Sequence, residues 1–150
     1  MPMPNVFQNS WFILIFLLSG CLPKNQQSTF IEPHCLVSQS QCQIKTEIGA
    51  FDILFNVDTV ITENEFNIIV KSYSLNEDLE IKGFLEGREM FMGKIPLFFK
   101  KSNEQSFITS TMLGSCSEEE MIWRMWLTVT DKLNNDQTHK FFIDFKSHRR

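Results

Sequence analysis

The sequence has few of the residues that break or bend a chain, with 6 glycines and 5 prolines in 150 residues. That excludes collagen-like and low-complexity architectures. It also lacks an excess of charge of one sign. The 14 Lys and Arg against 18 Asp and Glu leave a net charge of −4, which offers no attraction for a nucleic-acid backbone. No nucleic-acid partner is therefore expected. Lys100 and Lys101 read as a solvated strand end, and His148, Arg149 and Arg150 as a terminal tail. No segment recurs at a period of about 20–50 residues, which excludes a solenoid or propeller.

Catalytic signatures are missing too. There is no Gly-x-Ser-x-Gly, no Ser-His-Asp ordering and no glycine-rich phosphate loop. His34, His139 and His148 stand singly, without His-x-x-His spacing, and read as surface histidines. Glu118, Glu119 and Glu120 form a solvated charge run. The expectation is a protein that is not an enzyme.

What the chain does have is apolar bulk. It is 43% hydrophobic, with 15 phenylalanines, enough for one domain with an adequate core. Part of that bulk sits in Trp11-Phe12-Ile13-Leu14-Ile15-Phe16-Leu17-Leu18. This run is too short to span a bilayer as a helix, which takes about 20 residues, and it fits the apolar region of an export signal. Leu18-Ser19-Gly20-Cys21 follows directly and resembles the bacterial lipobox.

The resemblance implies that residues 1–20 are a lipoprotein signal peptide, removed ahead of Cys21, and that the Cys21 thiol is lipidated. Small residues before the scissile bond let a peptidase accept an extended backbone, and a thiolate is the chain's best nucleophile. Acyl chains contribute about 0.8 kcal/mol per buried methylene, so two or more of them, such as palmitate, hold a protein stably on a membrane. Leu22 stands where an aspartate often marks inner-membrane retention. The resemblance thus implies an outer-membrane lipoprotein facing the periplasm, with a possible envelope protein as partner. Met1 to Ser10 contain no Lys or Arg, unlike most export signals. The alternative is a short N-terminal anchor or buried helix with an incidental cysteine.

Residues 21–40 read as the lipidated cysteine and a tether, since Leu22-Pro23-Lys24-Asn25-Gln26-Gln27-Ser28-Thr29 is polar and without apolar periodicity. Residues 41–150 are the folded body. There, apolar residues recur with period two: Phe51, Ile53, Phe55 and Val57, then Phe66, Ile68 and Val70. Further strands are expected over 79–86, 95–100, 106–113, 121–131 and 139–146, separated by turn-rich segments. Seven strands at short spacing imply an all-β antiparallel sandwich or barrel. Pro96 should sit at a strand start or sheet edge. Ser117-Glu118-Glu119-Glu120 matches a capping box and predicts one short helical turn. Phe51, Phe55, Phe66, Phe141 and Phe145 are expected in the core.

The richest stretch is Met90-Phe91-Met92-Gly93, followed by Gly114-Ser115-Cys116 and by Met121-Ile122-Trp123-Arg124. Together these resemble the small exported domains called YtkA-like or FixH-like, which implies an immunoglobulin-like β-sandwich. As a strand, Met90 and Met92 would share one face, with Phe91 on the other. If the loop at Cys116 folds back, two thioethers, one thiolate and Met121 converge, a soft set suited to Cu(I). The competing reading is core packing, since methionine fills irregular gaps.

After lipidation of Cys21 the exported chain keeps Cys35, Cys42 and Cys116, an odd number in an oxidising compartment. Three arrangements are open: Cys35 with Cys42, Cys116 with either of them, or all reduced. A Cys116 bridge would deprive the copper site of its thiolate. The function expected is a non-catalytic binding or accessory module of the envelope. The alternatives are a Cu(I)-handling accessory protein and a structural, partner-binding lipoprotein with an exposed apolar patch of several hundred Å².

Overall fold

A computed structural model of the chain describes residues 41–73, 78–103, 105–133 and 136–150. Its strands, in chain order, are β1 (Gln41–Thr46), β2 (Gly49–Phe55), β3 (Val60–Ile61), β4 (Glu65–Ser72), β5 (Leu79–Gly87), β6 (Lys94–Phe98), β7 (Lys100–Asn103), β8 (Ser106–Met112), β9 (Glu120–Asp131) and β10 (Gln137–His148). They form two five-stranded sheets, ordered β1-β2-β4-β8-β7 and β3-β10-β9-β5-β6. The fold is an all-β sandwich.

Period-two patterning explains why these segments pair as they do. Along β9 every odd residue from Met121 to Asp131 is buried, while the even ones from Ile122 to Thr130 are half-buried. β4 buries Phe66, Ile68 and Val70 on one face. Alternate side chains point to opposite faces of a strand, so each sheet turns one apolar face to the other. All five phenylalanines expected inside are buried. Phe55 meets Phe145 edge-on at 5.0 Å between ring centroids, and Phe51 meets Phe141 at 5.6 Å. Such offset or edge-on pairs contribute about 0.5–1.5 kcal/mol beyond their buried area. Trp123, wholly buried, donates its indole N–H to Ser147 Oγ at 3.0 Å, which removes the cost of an unpaired polar group in the core.

Three expectations are corrected. There are ten strands among the described residues instead of seven, because β3, Val60-Ile61, is too short to show a period, β1 alternates over only two buried residues, and β7 has no apolar residue at all. β7 exposes all four of its residues, and β1 carries only Cys42 and Ile44 inward. The sandwich is not wholly antiparallel, since β3 pairs with β10 in parallel, Ser147 opposite Val60. No helical turn forms at Ser117. Residues 117–119 bend and Glu120 already begins β9, because pairing with His148 in β10 offers the backbone a ladder that a single helical turn cannot match. Pro96 lies as expected on β6, an edge strand.

Topology brings particular residues to one end of the sandwich. The chain passes from β6 in one sheet to β7 in the other through Phe99 alone. The register places Gln41, Glu65 and Met112 at one end of the first sheet and Gly87, Lys94, Glu120 and His148 at the same end of the second. Backbone bonds from Thr62 N–H to His148 O and from Glu63 N–H to Leu113 O, both 2.9 Å, lace that end together.

Candidate functional site

The sulfur-bearing residues gather at the end of the sandwich where β1 begins. Met121 is buried at the start of β9, and Cys116 is half-buried in the loop from β8 to β9. Their sulfurs are 3.6 Å apart. Met92, also half-buried, packs against the core, and its methyl lies 3.9 Å from where a side chain on Gly114 would begin. Met90 does not join them in the way expected. Residues 88–93 form a loop between β5 and β6, not a strand, so two-residue alternation has no hold there, and Met90 is 40% exposed. A Cβ on Gly87 would overlap both Met90 O and Met121 Cε, so only glycine lets the loop close over Met121. Gly93, at φ 74°, turns the chain back into β6.

Among the described residues no group of three or more His, Cys, Asp or Glu is placed to hold a metal ion. Any metal held at this end would therefore draw on methionine. Two sulfurs each about 2.3 Å from one ion at a tetrahedral angle are roughly 3.7 Å apart. The Cys116–Met121 separation fits that spacing, and it equally fits a weak S–H···S contact.

The remaining cysteines divide differently. Cys116 is a free thiol. It therefore forms no bridge to Cys35 or Cys42. Cys42 is buried in β1 and is engaged. Cys21 and Cys35 lie outside the described residues, as do the signal peptide, the tether and His34. His148 Nδ1 stands 3.8 Å from Glu120, and His139 is half-buried on β10 between exposed Thr138 and Lys140, with its Nε2 enclosed and without a hydrogen-bond partner. No described helix is long and apolar enough to cross a membrane.

A second cluster, unforeseen from the sequence, occupies the outer face of the β3-β10-β9-β5-β6 sheet. Register aligns Pro96, Phe84, Trp126 and Phe142 in one row across four strands, and Lys94, Glu86, Arg124 and Asp144 in the next. Phe84 and Trp126 stack at 6.3 Å, and Trp126 and Phe142 tilt together at 4.9 Å. Cations lie over the rings: Arg124 is 3.9 Å from the Phe142 centroid, Lys94 is 4.4 Å from Phe84 and Lys140 is 4.7 Å from Trp126. Each such contact contributes about 0.5–1 kcal/mol at an exposed site. The Trp126 indole N–H donates to Glu86 at 2.6 Å.

Asp144 is the pivot of the charged row. Its side chain is 3% exposed, yet it accepts from Arg124 Nε at 2.8 Å and Nη2 at 3.0 Å and pairs with Arg88 Nη1 at 3.1 Å. The hydrogen bond to Asp144 raises the pKa of Arg124 above its ordinary value, so the guanidinium stays charged. Arg88 belongs to the β5–β6 loop, so the row fastens that loop to β10. The sequence does carry a trace of this cluster: Phe84-x-Glu86, Arg124-x-Trp126 and Phe142-x-Asp144 each place an aromatic and a charge two residues apart, hence on one face.

No protein-family model matches the chain, and no curated protein matches it. Among solved structures the fold is similar to a DUF4785-family protein from Legionella pneumophila, with a TM-score of 0.53 at 12% identity over 70% of this chain. The chain spans 29% of the length of that protein, and the likeness is one of fold alone. A DUF4426-family protein from Pseudomonas aeruginosa gives a TM-score of 0.46 at 12% identity, covering 71% of this chain and 94% of that one.

Proposed function

We propose that the chain is an exported lipoprotein, cut before Cys21 and lipidated there, whose residues 41–150 serve as a non-catalytic binding or accessory module of the cell envelope. On this reading the module faces the periplasm from the outer membrane. What supports it is the lipobox-like Leu18-Ser19-Gly20-Cys21 behind an apolar run, together with the two-sheet core that the described residues from Gln41 onward bury among themselves. On this reading residues 21–40 serve as the lipidated cysteine and tether. An immunoglobulin-like ancestry belongs to the same proposal. Metabolic labelling with a palmitate analogue tests it: the wild type takes up label and Cys21→Ala does not. An unlabelled wild type, or a mature product that still begins at Met1, overturns the reading.

A second reading, Cu(I) handling, is favoured by the 3.6 Å approach of Cys116 Sγ and Met121 Sδ. A thiolate and thioethers select Cu(I) over harder cations. Met92, half-buried beside Gly114, is the third ligand on this reading, and Met90 would have to turn inward from the loop to add a fourth. Competition against bathocuproine disulfonate checks it. Retention of Cu(I) by the wild type that is lost in Cys116→Ser and weakened in Met121→Leu supports copper handling, and no retention by the wild type ends it.

A further inference from the structure

The tip of the β5–β6 loop is unusually apolar for a surface feature. Phe91 is 90% exposed and Met90 40% exposed, and residues 90–93 carry no charge. The tip is held out from the sheet by its neighbours. Arg88 donates its backbone N–H to Ile122 O at 2.9 Å and pairs through its side chain with Asp144, and Gly87 packs against the Met90 carbonyl. Phe91 thus projects from a fixed base. Met112, 54% exposed, stands at the same end of the sandwich.

That end also carries Gln41, the first of the described residues. Gln41 pairs with Leu54 near the end of β2, which places Gln41 at the end of the sandwich that carries Phe91. The opposite end lies about 40 Å away, the length of the 12-residue β9. A tether from a membrane-held Cys21 reaches the near end directly and reaches the far end only by running the length of the sandwich. Aromatic side chains favour the headgroup level of a bilayer. Tethering raises the local lipid concentration, so a single aromatic contact is enough to orient a domain that it would not hold alone.

We infer that Met90 and Phe91 form a lipid-contacting tip that seats this end of the sandwich on an electroneutral membrane surface. The inference rests on the proposed anchor at Cys21. The surface is electroneutral because the charges at this end are of both signs, with Glu63, Glu65, Glu89, Glu118 and Glu119 matched by Arg88, Lys94, His148 and Arg149, and so give no net pull toward anionic headgroups.

The test uses the full chain, with Phe91→Trp at the tip and Leu133→Trp at the far end, where Leu133 is 65% exposed. Each is mixed with or reconstituted into phosphatidylcholine vesicles carrying brominated acyl chains, and the emission of the wild type is subtracted. The expected result is a blue shift and loss of emission for Phe91→Trp alone, with the Leu133→Trp signal unchanged. Unquenched emission from Phe91→Trp, or equal quenching of both variants, overturns the tip. Flotation of the wild type and the acyl mass of its N-terminal peptide report separately on the anchor, so quenching without acylation supports the tip while removing the anchor.

Discussion

Asp144 and Arg124 stand opposite each other on β10 and β9, and the carboxylate takes both Nε and Nη2 of the guanidinium while its own side chain is 3% exposed. A carboxylate so enclosed has no water to replace a lost partner. Asp144→Ala is expected to lower stability by about 1.5–3 kcal/mol, the range for hydrogen bonds to charged groups, read as a shift in the urea midpoint with an unchanged slope. Arg124→Lys recovers little, because an ammonium cannot make the paired geometry. Equal stability of Asp144→Ala and wild type would show that the row is ornamental.

Gly87 makes a narrower prediction. A methyl there meets the Met90 carbonyl and the Met121 methyl, both closer than van der Waals contact allows. Gly87→Ala should cost about 1–3 kcal/mol as overpacking, and it should displace Met121 from Cys116. The check is thermal denaturation together with the rate of Cys116 alkylation, which should rise as its neighbour moves away.

The thiols can be mapped directly. In unfolding conditions without reductant, iodoacetamide is expected to label Cys116 and to leave Cys42 unlabelled until reductant is added. Peptide mapping that finds Cys42 joined to Cys35 would complete the proposed pairing, since a bridge needs only that their Cα atoms approach to about 4.4–6.8 Å. Labelling of Cys42 before reduction would refute it.

Acid sensitivity has a defined sign. Glu80 is held below the ordinary glutamate value, chiefly by its hydrogen bonds with Lys82 at 2.6 Å and Lys132 at 3.1 Å, and Glu120 is held low by Lys146 at 2.9 Å. A carboxylate whose folded pKa is depressed adds stability that is complete above its unfolded pKa, about 4.3, and is lost as the pH falls through the folded value. The double variant Glu80→Gln and Glu120→Gln should therefore show a flatter Tm below about pH 4.3 than the wild type and a slightly lower one near neutrality. These groups are exposed, so the effect is small and shrinks with added salt. A steeper acid limb in the variant would contradict the assignment.

The strands that pack face to face are legible in the sequence because their patterning is local. Phe66, Ile68 and Val70 or Met121, Trp123 and Met125 announce a buried face within a few residues. β7, whose Lys100, Lys101, Ser102 and Asn103 are all exposed, forms only because β8 offers an open edge. The short helix expected at Ser117 fails for a related reason, since a local cap competes poorly with pairing to a strand far along the chain. The grouping of sulfurs is legible in part: Cys116 and Met121 do approach once the loop between them folds back, but strand alternation misplaces Met90, whose segment is a loop.

By itself the sequence determined which residues must be hidden, because burial preference and period-two spacing are properties of a few consecutive side chains. It also carried the lipobox-like signature, which is a matter of order along the chain. Only the tertiary structure decided that Phe84, Trp126 and Phe142 form one row, that Asp144 takes two arginines, and that Phe91 stands at the end where β1 begins. Those relations depend on strand register and sheet order, which arise from pairings between residues tens of positions apart and leave no local trace.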